Sequence, residues 1–204
     1  MSLPSKIICV GRNYLEHARE LGNEVPKSPL IFMKPPSSVI RSGDEIHLPS
    51  ASSRVEYEGE IGVVIGRRLH GATRESASEA IGAIVALNDV TARDLQRTDG
   101  QWTRAKGFDT FCPIGESNSS FGHLADLEVI TRVNGVEKQR AHARDMVFDI
   151  PTILVYISEV MTLEPGDIVA TGTPAGVGPL HDGDVVEVEI AGVSRVQNKV
   201  KGAN

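Results

Sequence analysis

A chain of 204 residues with 21 basic and 27 acidic side chains carries a net charge of −6 and has no basic cluster, which argues against a nucleic-acid partner. Nowhere do about 18 apolar residues run together, and no long apolar segment follows Lys6, so neither membrane insertion nor secretion is signalled. Two isolated cysteines, Cys9 and Cys112, suit reduced thiols rather than a disulfide framework, and the expected location is cytoplasmic.

The length fits one domain, 1–204, with a substantial core. Short apolar runs punctuated by 20 Gly and 11 Pro predict a mainly β protein with short helices, of the α+β class. The first strand is Lys6-Ile7-Ile8-Cys9-Val10, closed by Gly11. A short helix follows over 13–21, with Asn13 as its cap and Gly22 as its stop. Residues 22–36 are rich in Pro and polar side chains apart from the strand-like Leu30-Ile31-Phe32-Met33. With the preceding helix they read as a lid and its hinge, 13–36, mobile without ligand and ordered with it.

Three Gly-Asp turns, at Gly43-Asp44, Gly166-Asp167 and Gly183-Asp184, each lead into β-branched residues and read as hairpin corners of a rolled or sandwiched sheet. Residues 138–144 carry four basic side chains counting His142, and read as a solvated face. A further helix is expected over 151–160, with Pro151 in its first turn and Ile153, Leu154, Ile157 and Met161 on one apolar face.

Between the first two corners lies Val55-Glu56-Tyr57-Glu58-Gly59-Glu60, opening the apolar run 61–65. On one strand Glu56, Glu58 and Glu60 share a face about 7 Å apart, where each like-charge neighbour costs about 2 kcal/mol at an effective dielectric near 20. A divalent cation would compensate them; water would do so equally if this is an exposed acidic edge strand. The apolar run 81–87 ends at Asn88-Asp89, which sets a third carboxylate at a strand end, although Asp89 equally suits the cap of a helix starting at Asp89-Val90-Thr91-Ala92-Arg93-Asp94. Two Glu and one Asp are oxygen ligands for a hard cation, Mg2+, Mn2+ or Ca2+, and no cysteine or histidine pair has zinc spacing.

His17 and Glu20 stand three apart, so on a helix the carboxylate can orient the imidazole as a general base; an exposed surface pair has the same spacing. Lys106, in Trp102-Thr103-Arg104-Ala105-Lys106-Gly107-Phe108, can stabilise an oxyanion or a carboxylate, or snorkel at the surface. The glycine-rich stretch 171–179 follows a strand and can cradle an anion or simply turn a corner; it lacks the Gly-Lys-Ser/Thr ending of a nucleotide site.

Together, Gly11-Arg12-Asn13-Tyr14 with His17 and Glu20, Tyr57-Glu58-Gly59-Glu60, Asn88-Asp89-Val90-Thr91-Ala92-Arg93-Asp94-Leu95-Gln96, Ala105-Lys106-Gly107-Phe108-Asp109 and Thr171-Gly172-Thr173-Pro174 occur in the order found in the fumarylacetoacetate hydrolase family. From Lys6 to about Val188 the chain resembles that family's short, single-domain acylpyruvase and oxaloacetate-tautomerase branch. The resemblance implies a rolled mixed β-sandwich of the family's C-terminal domain type, a homodimer, and Mg2+ on Glu58, Glu60 and Asp89. Glu56 is left out of that set, because the family commonly has another polar residue there. Gly59 is smaller than the family's usual residue, which is expected to loosen the strand locally. The lid dyad falls on His17 and Glu20, polar active-site groups on Gln96 and Lys106, and substrate contacts on Thr173 and Arg12.

These implied parts suit a 2-oxo or 2,4-dioxo acid chelated by the metal, cleaved between carbons through its enolate, with His17 taking a proton from water. Tautomerisation or isomerisation of a 2-hydroxy-diene dioate or oxaloacetate, and decarboxylation of oxaloacetate, use the same enolate. A non-catalytic β module with a structural cation is the reading of another class, and it requires Lys106 and His17 to lie far from the carboxylates.

Overall fold

The computed structural model describes residues 3–20, 22 and 26–202. Two five-stranded sheets carry the architecture. The first has the order Leu30–Lys34, Ile7–Gly11, Ile168–Ala170, Gly59–Ile65, Ile81–Asn88; the second runs Val136–His142, Glu128–Val133, Val185–Ile190, Ser194–Lys201, Glu45–His47. Each is mixed, because Ile7–Gly11 lies parallel to Ile168–Ala170 and Ser194–Lys201 parallel to Glu45–His47, while the other pairs are antiparallel. The result is the mainly β sandwich with short helices expected from the sequence.

Burial explains the two kinds of strand pattern. Gly59–Ile65 is buried along its whole length and Ile81–Asn88 along most of it, so they read as uninterrupted apolar runs. Ser194–Lys201 alternates buried and exposed at every residue, as a strand with one wet face must. One apolar cluster joins Ile61, Val63 and Ile84 of the first sheet to Val129, Val188 and Val196 of the second, and takes in the helix Ile150–Val160 through Ile153, Leu154 and Ile157. Each such side chain contributes roughly 1.5–3 kcal/mol by leaving water. Asp149 caps that helix by accepting from Thr152 N at 3.0 Å, and Pro151 sits in its first turn. Among the described residues no helix is long and apolar enough to cross a membrane.

Gly43, Gly166 and Gly183 all adopt positive φ (94°, 91° and 86°), and the aspartate after each accepts from the backbone N–H three residues back, at 2.7, 2.8 and 2.8 Å. The three turns are alike, but none is a hairpin corner: each launches a strand whose partners come from elsewhere in the chain.

The helix expected over 13–21 spans Leu15–Glu20, and residues 21 and 23–25 of the expected lid lie outside the described residues. Asn13 is not its cap. The Asn13 amide donates to the carbonyls of Phe148 (3.0 Å) and Thr171 (2.8 Å), and its Oδ1 accepts from Phe148 N (2.8 Å), so it ties the end of the first strand to the glycine-rich loop. At the other end, Leu30–Lys34 is hydrogen-bonded into the first sheet along its full length. The segment 13–36 is therefore anchored at both ends, which confines any lid motion to the stretch between.

Candidate active site

The acidic stretch does not form one uninterrupted strand. Val55–Tyr57 belongs to a small three-stranded sheet with Gly178–Pro179 and Thr91–Ala92, Gly59–Ile65 belongs to the first large sheet, and Glu58 stands at the break. Glu58 N donates to Asn88 Oδ1 at 3.0 Å and Asp89 N donates to Glu58 O at 2.8 Å, which pins the break against the end of the strand Ile81–Asn88. Ligand oxygens of Glu58, Glu60 and Asp89 consequently fall within 4.8 Å of one another, all three residues buried. Glu56 is also buried, but its carboxylate goes to Arg54 and Arg93, each at 2.6 Å, and not to this cluster. Asp89 caps no helix; the helix begins at Arg93, with Ala92 at its N-cap.

Gly59 does not loosen the strand. A Cβ there would lie 1.9 Å from Thr131 Oγ1, and Gly59 N donates to Gln139 Oε1 at 3.0 Å, so the glycine permits a close approach to the second sheet. Gln139 also donates to Thr173 Oγ1 at 2.8 Å, so the basic stretch 138–144, exposed at Lys138 and Arg140, turns the buried Gln139 between them inward.

Four buried carboxylates face three buried cations. Lys106 Nζ lies 2.6 Å from both Glu58 Oε2 and Asp89 Oδ2; Lys34 Nζ lies 2.6 Å from Asp89 Oδ1; Arg93 holds Glu56 through Nε and Glu58 through Nη2. Burial alone would raise the Glu58 carboxyl, but Lys106 and Arg93 outweigh it and hold it well below the usual carboxylate range. Burial opposes charge on Lys106 too, and Asp89 and Glu58 keep it an ammonium. Glu60 is the odd one out. Burial, Asp89 and Glu58 push its carboxyl well above the usual range, against the weaker pull of the Lys106 charge and a hydrogen bond from Gly172 N at 2.8 Å. At 4.8 Å and an effective dielectric near 20, each like-charge neighbour costs about 3 kcal/mol. An all-oxygen donor set in which Glu60 pairs with no cation among the described residues fits a hard divalent cation.

The other expected site residues meet on the same cleft, which has a volume of about 290 Å³. His17, Arg12, Gln96, Lys106 and Thr173 line it together with Glu58, Glu60 and Asp89. His17 is buried, and its Nδ1 lies 3.3 Å from Glu20 Oε2, which sits at the rim. Lys106 is fully buried beneath Phe32, its Nζ 5.0 Å from the ring centroid, and does not snorkel. Gln96 Oε1 accepts from Arg93 Nη1. Thr173 Oγ1 donates to Gly59 O at 2.9 Å and accepts from Gln139, so its hydroxyl proton is committed to the protein. Arg12 is half-buried at φ 59° and forms no ion pair among the described residues. The convergence of His17 and Lys106 with the carboxylates removes the geometric requirement of a structural-cation module.

Sequence reasoning passed over Arg93 and Lys34. Arg93 joins a ligand candidate to Gln96 and stands inside a motif already singled out, where a fork-shaped donor among carboxylates was the available signal. Lys34 ends an apolar strand just before Pro35; a lysine closing such a run is the signal for a buried ion pair, though not for its partner, 55 residues away.

The family model for the fumarylacetoacetate (FAA) hydrolase C-terminal domain matches residues 6–201. A mitochondrial oxaloacetate tautomerase of Arabidopsis thaliana is 41% identical over 203 residues, 97% of this chain and 91% of that protein. Among solved structures, the 2-hydroxyhepta-2,4-diene-1,7-dioate isomerase of Mycobacterium marinum superposes with a TM-score of 0.91 at 44% identity, over 99% of this chain and 76% of that one. Fumarylpyruvate hydrolase of Pseudomonas aeruginosa, solved with Mn2+ and pyruvate, gives a TM-score of 0.92 at 32% identity, over 98% and 91%. With its ordered motifs gathered on one cleft and a family model running along nearly its whole length, the chain belongs to the fumarylacetoacetate hydrolase family.

Proposed function

We propose that this protein is a divalent-metal-dependent enzyme that hydrolyses a carbon–carbon bond in 2,4-dioxo acids of the acylpyruvate or fumarylpyruvate type, as one catalytic domain over 1–204. The observation that carries this reading is the convergence on one cleft of three buried carboxylates, one of them without an ion-pair partner among the described residues, with the dyad of His17 and Glu20. Glu58, Glu60 and Asp89 would hold Mg2+, with Mn2+ or Ca2+ as alternatives, and such an ion supplies Lewis-acid stabilisation to a chelating 2-oxo acid.

The chain's own residues account for the remaining steps. With Nδ1 turned to Glu20, His17 presents Nε2 to take a proton from water. The water oxygen adds to the distal carbonyl carbon, the carbon–carbon bond on its pyruvate side breaks, and the electron pair leaves with the pyruvate enolate. A proton then returns to that carbon, giving pyruvate and a carboxylic acid. Lys106 spends two N–H groups on Glu58 and Asp89 and keeps a third for developing negative charge. Gln96, its oxygen held by Arg93, is left with its amide N–H groups as donors. At Thr173 the backbone N–H, which has no acceptor among the described residues, is the group for a substrate carboxylate. Arg12 adds a second cationic contact at the cleft wall.

The names of the Arabidopsis relative and of the Mycobacterium marinum isomerase favour a second reading, in which a proton is moved on oxaloacetate or a diene dioate without water attack; loss of carbon dioxide from oxaloacetate would use the same enolate. Profiling the metal-loaded protein on acylpyruvates, oxaloacetate and diene dioates separates them: tautomerisation of oxaloacetate with acylpyruvates untouched would reject hydrolysis. The stretch within 13–36 acts as a lid in either case, and greater amide protection there on adding oxalate, a mimic of the pyruvate enolate, is the expected result; equal protection would refute closure. A cytoplasmic homodimer completes the proposal, supported by the outer strand Leu30–Lys34 with Leu30 and Met33 exposed, and sedimentation tests it.

A further inference from the structure

Tyr57 immediately precedes Glu58 but serves a different wall of the site. Its hydroxyl donates to Gly176 O at 2.9 Å, and its ring packs on Gly178, its cross-strand partner, where a Cβ would lie 2.9 Å from the Tyr57 oxygen. Gly176 N in turn donates to Glu20, at 3.1 Å from Oε1 and 3.2 Å from Oε2, and the same Oε2 meets His17. Among the described residues this N–H is the hydrogen-bond partner Glu20 finds outside its own helix. Gly176 can aim its N–H at Glu20 only in a conformation open to glycine, φ 98°, with a Cβ position 2.1 Å from Lys138 O. A backbone so placed needs holding from the other side, and Tyr57 does this at the carbonyl.

We propose that Tyr57 is a positioning residue for the general base: by fixing Gly176 it builds the backbone site on which Glu20 lands when the lid helix closes, and so couples lid closure to the orientation of His17. The role assigned to His17 rests on the function proposed above; the latch does not. The loop 172–178 is then fastened at both ends by one stretch of chain, through Gly172 to Glu60 and Thr173 to Gly59 at its start, and through Gly176 to Tyr57 near its end.

Tyr57→Phe keeps the ring on Gly178 and removes only the donor. Amide hydrogen exchange of the Mn2+-loaded full chain with oxalate should become on the order of tenfold faster in 14–20 and 172–178, the loss of about one net hydrogen bond. Exchange in Gly59–Ile65 and Mn2+ affinity by calorimetry should stay at parental values, and kcat on an acylpyruvate should fall several-fold with KM little changed. Parental exchange in 14–20, or equal acceleration in Gly59–Ile65, would overturn the proposal. Glu20→Ala reads the same contact from an exposed position and should speed exchange in 172–178 even where Tyr57→Phe fails to fold. The double variant should exchange in 14–20 no faster than Glu20→Ala alone, and multiplied accelerations would overturn the latch. If the parent turns over no oxo acid at all, the proposed function falls while the exchange data still decide the latch.

Discussion

Glu60 accepts the N–H of Gly172 at 2.8 Å and, among the described residues, pairs with no cation, although Glu58 and Asp89 beside it pair with two each. This asymmetry separates the demands of folding from those of metal binding. Glu60→Gln keeps an oxygen for Gly172 and removes the buried carboxyl group that has no ion-pair partner among the described residues. The expected outcome is a loss of at least about tenfold in Mg2+ or Mn2+ affinity by calorimetry, with the thermal midpoint of the metal-free variant no lower than the parent's. Unchanged affinity would sink the ligand assignment.

His17 reaches the cleft from the helix Leu15–Glu20, whereas the carboxylates are held by strands and their ends. His17→Ala should therefore lower kcat for an acylpyruvate on the order of 100- to 10,000-fold, as general-base removal does, while metal binding and most of the affinity for oxalate persist. If the variant retains more than about a tenth of the parental rate, the base lies elsewhere, and the reading must pass to a tautomerase or decarboxylase.

What could be read from the chain follows from how locally each feature is specified. The strands Ile81–Asn88 and Gly59–Ile65 announce themselves as apolar runs because both faces are buried, and the Gly-Asp turns because positive φ selects glycine. The break at Glu58 was not legible, since Asn88 makes it from 30 residues away. Nor was the work of Asn13, whose partners Phe148 and Thr171 lie more than 130 residues on and outcompete the local helix end. The strand pattern alone grouped Glu56 with Glu58 and Glu60, and only the family resemblance set Glu56 apart from Glu58, Glu60 and Asp89, the three that gather here. Their cations were not legible, because which lysine reaches which carboxylate is settled only when the sheets pack.

Gly59 offers a test of that packing. Gly59→Ala would drive a methyl group into Thr131 Oγ1, and overpacking of this kind costs about 1–3 kcal/mol, to be read from urea denaturation. Thr131 Oγ1 is itself buried without a hydrogen-bond partner, so Thr131→Ala alone should cost little. Combined, the two substitutions should recover much of the loss, by a coupling of about 1 kcal/mol or more. Simple additivity would show that the close contact is not the reason for the glycine.

Asp167 provides the pH dependence, far in sequence from the candidate ligands Glu58, Glu60 and Asp89 and on the opposite end of its strand from the cleft. Burial would raise its carboxyl, but the Lys6 ammonium at 2.5 Å, the Ser5 hydroxyl at 2.6 Å and the backbone N–H of Glu164 at 2.8 Å outweigh burial and hold it below the ordinary carboxylate value. The unfolded chain therefore takes up a proton near pH 3.9 while the folded chain still resists it. The stabilisation from Asp167 is fully present above that unfolded value and is lost as pH falls through the lower folded value. Asp167→Asn cannot accept all of these donors and should be less stable than the parent at neutral pH. In urea denaturation across a pH series the gap between parent and variant should hold down to about pH 4 and shrink below it. A gap that stays constant down to pH 2 would show that Asp167 contributes by shape and not by charge, leaving the Lys6 ion pair without weight in tying the first strand to the turn before Ile168–Ala170.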